Sequence, residues 1–140
     1  MLLGEFRHTL DSKGRVFIPS RWREELTEGV IISKGLEKCL YVMTPDNFSN
    51  YATALSEKPL EDKAAREYAR MLYSGSQEEH VDKQGRVTIP STMREHAGLS
   101  RDVVIIGVNQ RAEVWDREAW ESYQGRLKSD YESIAEELER

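Results

Sequence analysis

Two arginines occupy the same place in two matching segments of the chain, and their side chains are suited to recognition. Arg15 directly follows Asp11-Ser12-Lys13-Gly14, and Arg86 directly follows Asp82-Lys83-Gln84-Gly85. A guanidinium group is planar and donates two parallel hydrogen bonds to a guanine edge, a phosphate or a carboxylate. Each arginine can therefore read a base or pair with the aspartate of its own turn, and both interpretations stay open.

The two segments belong to an internal duplication. The residues from Asp11 to Glu24 return seventy-one positions later as Asp82 to Glu95, and nine of the fourteen paired residues are identical. Such self-similarity indicates two copies of one structural unit. We expect a first repeat with its helices over residues 1–75 and a second over residues 76–140. Because units of about 70 residues are marginal alone, we expect the halves to share one core.

Each copy predicts a tight turn. Aspartate followed three residues later by glycine is typical of a type I turn, in which the aspartate accepts backbone hydrogen bonds and the glycine takes a positive φ. Asp11 with Gly14, and Asp82 with Gly85, should therefore form two projecting hairpin tips.

A short strand and a short helix should follow each tip. In Arg15–Ile18 and Arg86–Ile89 the Val and Ile residues alternate, which predicts one buried face, with Phe17 and Thr88 on the other. A proline ends each strand, and the serine after it is expected to cap a helix. The helices so predicted are Arg21–Leu26 and Thr92–Ala97.

The remaining chain predicts further strands and helices. Thr44 with Pro45, and later Asp116, are typical helix starts. In the last helix apolar residues recur at spacings of three and four, which indicates a continuous apolar seam from Trp120 to Leu138. This seam should pack on the rest of the chain itself or contact another subunit.

Composition limits the classes of protein to consider. The 140 residues carry a net charge of −5, and residues 116–140 contribute −4 of it. The segment Met1–Arg23 is locally basic, with five arginines and lysines against two acids. Apolar runs are too short for a membrane helix, and a lone Cys39 cannot form an internal disulfide. We therefore expect a cytoplasmic protein.

Catalytic and metal-binding patterns are missing from the sequence. The three histidines have no metal-ligand spacing with one another or with Cys39, and neither a nucleophile elbow nor a phosphate-binding loop is present. We expect no enzyme activity, no metal, no cofactor and no small-molecule substrate.

The repeated motif resembles that of a known family. The twice-repeated Asp-x-x-Gly-Arg turn, which continues as Val-x-Ile-Pro-Ser and then Arg-Glu, resembles the SpoVT-AbrB family of bacterial DNA-binding modules. Two such modules in one chain of this length resemble the MraZ family. The resemblance implies an α+β fold, a double-split β-barrel whose two pseudo-two-fold-related repeats interleave, with flanking helices. The copies differ inside the turn, since Ser12-Lys13 stands where Lys83-Gln84 stands in the second.

The resemblance also implies a function. It predicts a nucleoid-associated transcriptional regulator that binds double-stranded DNA at short direct repeats in the promoter of a division and cell wall gene cluster, as a homo-oligomer that is a ring. Its expected contacts with DNA are Arg7, Lys13, Arg15, Lys83 and Arg86. An oligomeric protein-interaction module of antitoxin type is the alternative, and a small enzyme is the more distant one.

Overall fold

The computed structural model describes residues 1–139, which form eight strands and five α-helices. In chain order they are β1 (Leu2–Thr9), β2 (Arg15–Phe17), β3 (Val30–Lys34), β4 (Leu40–Met43), α1 (Pro45–Ser56), α2 (Lys63–Gly75), β5 (Gln77–Glu79), β6 (Arg86–Thr88), α3 (Ser91–His96), β7 (Asp102–Asn109), β8 (Arg111–Asp116), α4 (Arg117–Lys128) and α5 (Tyr131–Leu138). None of the helices is long and apolar enough to cross a membrane, over the residues described.

The strands form one large sheet and one small ribbon. The large sheet has the antiparallel order β1-β7-β8-β4-β3-β5, and β2 pairs with β6 in a separate two-stranded ribbon. The order is symmetric about the β8–β4 pair, since β1, β7 and β8 of one side match β5, β3 and β4 of the other by their place in each repeat. The predicted α+β class and split-barrel architecture are confirmed.

The main core draws on both repeats. The predicted inward residues are buried, with exposed fractions of 1% for Val16, 3% for Ile18, 2% for Val87 and 0% for Ile89. They pack in one cluster with residues of β3, β4, β7 and β8. Strand pairing also crosses the halves, because β1 pairs with β7 and β2 with β6. The division of the chain at residue 75 itself stays a prediction.

A second cluster, of aromatic residues, packs α4 against the sheet. Trp115 of β8 lies 5.2 Å from Trp120 and 4.9 Å from Tyr123, measured between ring centroids. The predicted caps of the long helices are present, since the side chains of Thr44 and Asp116 accept the backbone N–H of residues three positions ahead. The start of α4 is therefore held by both its cap and its aromatic face.

The serine caps were predicted wrongly. Pro19 and Pro90 are the N-caps, and their carbonyl oxygens accept the first bonds, from Trp22 at 2.9 Å and from Met93 at 3.0 Å. Proline has no backbone N–H, and it is tolerated here because the ladder of the preceding strand needs no donor at this position. Each serine is therefore the first helical residue. In the first copy the predicted helix is only a 3₁₀ turn, Ser20–Trp22, whose buried Trp22 packs edge-on against Phe6.

Two further predictions need correction. The strands beside each tip do not form a hairpin ladder, because they diverge after the turn and pair with strands of the other repeat. The apolar seam at the C-terminus is broken, since α4 ends at Lys128 and α5 begins at Tyr131. Trp120 and Tyr123 pack on the sheet, whereas Tyr131 and Leu138 are 77% and 84% exposed.

Candidate nucleic-acid interface

The two tips have the same internal bonding. In the first, Oδ1 of Asp11 accepts the backbone N–H of Lys13 and of Arg15, and Oδ2 accepts Nε of Arg15 at 2.6 Å. In the second, Asp82 accepts the N–H of Gln84 and Arg86, and Nε of Arg86 at 2.9 Å. Gly14 and Gly85 close the turns with φ of 80° and 89°. The two turns thus have the same hydrogen bonds and the same left-handed glycine.

The hydrogen bonds at each turn stabilise its carboxylate. The backbone N–H of Arg15, its guanidinium and the N–H of Lys13 together lower the pKa of Asp11 to about 2, although partial desolvation acts in the opposite direction. The corresponding bonds from Arg86 and Gln84 lower the pKa of Asp82. Both aspartates are therefore ionised at neutral pH, and each forms an ion pair with the arginine of its own turn.

Each aspartate orients its arginine through a single nitrogen. The carboxylate binds Nε, which lies on the inner side of the guanidinium fork, and the two terminal amino groups lie beyond it. The side chains of Arg15 and Arg86 remain 30% and 21% exposed. The two interpretations of these arginines are therefore compatible, because an arginine bound at Nε by its own turn can still present its terminal amino groups to a ligand.

The ribbon brings the two arginines onto one face. In the β2–β6 register Arg15 lies opposite Thr88, Phe17 lies opposite Arg86, and the buried Val16 and Val87 pair between them. Since neighbouring residues of a strand point to opposite sides, the outer face carries both arginines together with Phe17 and Thr88. Two tips and the ribbon between them thus form one continuous surface, here called the ribbon face.

Each tip is clamped by the other repeat. The N–H of Ile18 donates to the carbonyl oxygen of Gly85, and the N–H of Ile89 donates to that of Gly14, both at 2.8 Å. These bonds continue the β2–β6 register at both of its ends, although the strands themselves end one residue earlier than predicted, at Phe17 and Thr88. They also fix the tips relative to each other, because each one is bonded directly to the strand that follows the other.

Two arginines that were not predicted as site residues complete the clamp. A Cβ added to Gly14 would lie 2.8 Å from Cζ of Arg94, and one added to Gly85 would lie 2.5 Å from Cζ of Arg23. Each guanidinium therefore packs on the turn of the opposite repeat. Arg23 and Arg94 are equivalent positions and are identical in the two copies, a signal that could have identified them, although nothing in the sequence predicts that they reach across.

The remaining predicted contacts are distributed unevenly. Lys13 and Lys83 are exposed at the tips. Arg7 lies on β1 away from the turns, where Nη2 is 3.5 Å from Glu121 of α4, and it lines a surface cavity of about 320 Å³ together with Phe17. The ribbon face therefore gathers the arginines and lysines of both turns, with Arg7 at its margin.

Other reactive groups do not form a second site in the described chain. Residues 1–139 contain no group of three or more His, Cys, Asp or Glu side chains that could hold a metal ion. The free Cys39 is buried, and burial together with the charge of Glu113 raises the pKa of its thiol to about 12. A thiol with that pKa is protonated at neutral pH and is a poor nucleophile.

The architecture defines the class of the molecule, two interleaved SpoVT-AbrB-like repeats that present paired turns on a shared barrel. The family model described as "MraZ protein, putative antitoxin-like" matches residues 1–71 and again residues 72–140. The chain belongs to the MraZ family.

Relatives agree with this assignment over nearly the whole chain. Proteins named "Transcriptional regulator MraZ" are 48% identical in Acetivibrio thermocellus, covering 99% of this chain and 96% of that protein, and 47% identical in Caldanaerobacter subterraneus subsp. tengcongensis, covering 99% and 97%. One from Salinispora tropica is 46% identical, covering 97% and 96%. By class the chain is a transcriptional regulator, and the relatives' name describes no enzyme.

A solved structure shows a weaker similarity. The solution structure of PHS018 from Pyrococcus horikoshii covers 81% of this chain and 88% of its own, at 21% identity and a TM-score of 0.35. That similarity is too low to support an argument.

Proposed function

We propose that the ribbon face binds double-stranded DNA in the major groove and reads its sequence through Arg15 and Arg86. The observation that carries this proposal is their placement on one exposed face of a two-stranded ribbon, each oriented by its own aspartate. A β-ribbon fits the major groove, and arginine reads guanine through its O6 and N7 acceptors.

Pre-orientation supports a reading role over a purely structural one. An arginine whose Nε is already bound loses less side-chain entropy when it meets a base than a freely rotating one. Lys13 and Lys83 would act differently, as exposed charges that neutralise phosphates without reading sequence. The acidic total charge does not oppose this, because most of the excess lies in residues 116–140.

Substitution of the arginines tests the proposal. Arg15→Ala and Arg86→Ala should each weaken binding to a selected operator by about 1–3 kcal/mol and relax the preference at one base pair, whereas Lys13→Ala should weaken all sequences and lower the salt slope by about one. Binding is measured by fluorescence anisotropy at several salt concentrations. Arg70→Ala, an exposed arginine on α2, is the matched control.

Arg15→Lys separates reading from turn support. Lysine keeps a cation beside Asp11 but lacks the planar fork, so we expect an unchanged melting temperature and a lost base preference. If the Arg15→Ala, Arg86→Ala double variant melts normally and binds the operator as tightly as the unsubstituted protein, the ribbon face is not the reading surface.

We further propose that the chain acts as a homo-oligomeric ring on short direct repeats in the promoter of a division and cell wall gene cluster. One chain offers a single ribbon face, and several linked faces gain affinity from effective concentration. Repeats about one helical turn, ~10 base pairs, apart would present the same groove to successive subunits. Light scattering at micromolar concentration tests the assembly, and a monomer there would exclude it.

A protein-interaction role of antitoxin type is the second candidate. It is favoured by α5, where Tyr131, Ile134 and Leu138 are 77%, 41% and 84% exposed on one short helix. Removal of α5 with retention of full DNA affinity but loss of a bound protein partner would support it.

A further inference from the structure

One large apolar side chain lies on the ribbon face with no role in the function proposed above. Phe17 is 44% exposed and faces Arg86 across the ribbon. Single exposed apolar residues are common on protein surfaces, so exposure alone decides nothing. The position is what matters, because Phe17 shares its face with the two arginines that we assign to base reading.

We propose that Phe17 is a specificity-determining residue that contacts the 5-methyl group of a thymine in the major groove. The inference rests on the proposed DNA-binding function and deepens it. Thymine is the base that presents a methyl group in that groove, and phenylalanine is one of the side chains that contacts it. The partner is thus a base pair with thymine close to the guanine that Arg86 reads.

The register sets the distance between the two bases. Side chains directly opposite each other on an antiparallel pair have Cβ atoms about 5 Å apart, and DNA rises about 3.4 Å for each base pair along one strand. Phe17 therefore reaches a base one or two steps from the base that Arg86 reads. Phe17 should therefore affect the base preference at one defined position of the operator.

The other half of the ribbon lacks an equivalent aromatic. Its corresponding residue is Thr88, which is exposed and lies opposite Arg15. The ribbon face is thus symmetric at its arginines and asymmetric at Phe17 and Thr88. The methyl group of Thr88 can also contact thymine but is much smaller than a phenyl ring. A single chain should consequently prefer a site whose two halves share guanines, with the half that faces Phe17 more sensitive to a thymine methyl group.

Replacement of single thymines by deoxyuridine tests the contact, since it removes only the methyl group. The probe is the DNA sequence that the full-length protein enriches from a library of random duplexes. One substitution should weaken binding about three- to five-fold, the loss expected for one buried methyl group, and Phe17→Ser should make binding insensitive to that same substitution. Leu60→Ser, at an apolar residue that is 81% exposed between α1 and α2, should keep the sensitivity.

A cross-link provides a measurement that does not depend on a variant. With 5-iododeoxyuridine at the sensitive position, irradiation and trypsin digestion should leave the adduct on the peptide Val16–Arg21. An adduct on another peptide, or equal sensitivity to deoxyuridine with and without Phe17, overturns the assignment of Phe17 alone. If the protein enriches no sequence at all, the proposed DNA recognition falls with it.

Discussion

The turn from Asp11 to Arg15 and the turn from Asp82 to Arg86 share the same pattern of hydrogen bonds, yet their neighbourhoods differ. On β1, the strand that leads to the first turn, stand Arg7 and His8; the residues seventy-one positions later, on β5, are Glu78 and Glu79. The bonding of a turn depends on its own few residues, whereas its neighbours are free to change. One chain therefore presents two similar turns with different local charge.

The largest expected effect tests whether the two turns are supported by one shared hydrophobic core. Ile18→Ala and Ile89→Ala should each lower the free energy of unfolding by about 2–5 kcal/mol, and by similar amounts, because both side chains lie in the same core cluster. Urea denaturation measures both values, with the exposed Thr88→Ala as a control of about 0.5 kcal/mol or less. Separate unfolding transitions for the two repeats would contradict a shared core.

A smaller effect should distinguish the two clamps. An alanine at Gly14 or Gly85 is strained by about 1–2 kcal/mol because φ is positive. A new methyl group at residue 85 would lie 2.5 Å from Cζ of Arg23, closer than the 2.8 Å between one at residue 14 and Cζ of Arg94. Nε of Arg23 also donates to the carbonyl oxygen of Ile18, a bond that Arg23 would lose by moving away.

Gly85→Ala should therefore cost more than Gly14→Ala, as measured by thermal or urea unfolding. The helical Gly125, whose added Cβ would have nothing within 4 Å, is the control, and its replacement by alanine should stabilise the protein slightly. An equal or reversed order at the two turns would show that the contact of Arg23 with residue 85 is not the tighter one.

The smallest effect is on acid titration. The pKa of Asp11 is lowered to about 2 and that of Asp82 is also lowered, in each case first by the backbone N–H of the following arginine. A carboxylate whose pKa is lowered on folding stabilises the turn when the pH is above its ordinary pKa. That stabilisation is lost as the pH falls through the pKa of the folded state. The turn of Asp11 should thus stay ordered at pH 4 and loosen toward pH 2, and the turn of Asp82 should likewise loosen only below the ordinary carboxyl pKa.

Carboxyl NMR shifts and amide exchange at Arg15 and Arg86 measure the two titrations. Asp11→Asn should abolish the change at Arg15 and leave the one at Arg86. A loss of order at both turns near pH 4 would show that the ion pairs do not hold them.

Local rules predicted the turns and the faces of the strands well, because Asp11, Gly14, Val16 and Ile18 obey preferences that operate within a few residues. They failed where the structure depends on contacts with residues far away in the sequence. The pairing of β2 with β6, the bonds of Ile18 and Ile89 to the opposite turns, and the reach of Arg23 and Arg94 across the repeats all join residues far apart in sequence. The caps at Pro19 and Pro90 were missed for a local reason, since a proline carbonyl can begin a helix as well as end a strand.

The pairing of β1 with β7 also constrains how the protein is made. Leu2 pairs with Asn109 and Thr9 with Asp102, so β1 leaves the ribosome about a hundred residues before the strand it pairs with. At ordinary rates of synthesis, about 5–20 residues per second, the edge of β1 stays without its partner for roughly 5–20 seconds. During that time β1 of the nascent chain has an unpaired edge. Another nascent chain on the same messenger RNA is then the nearest molecule that could pair with it.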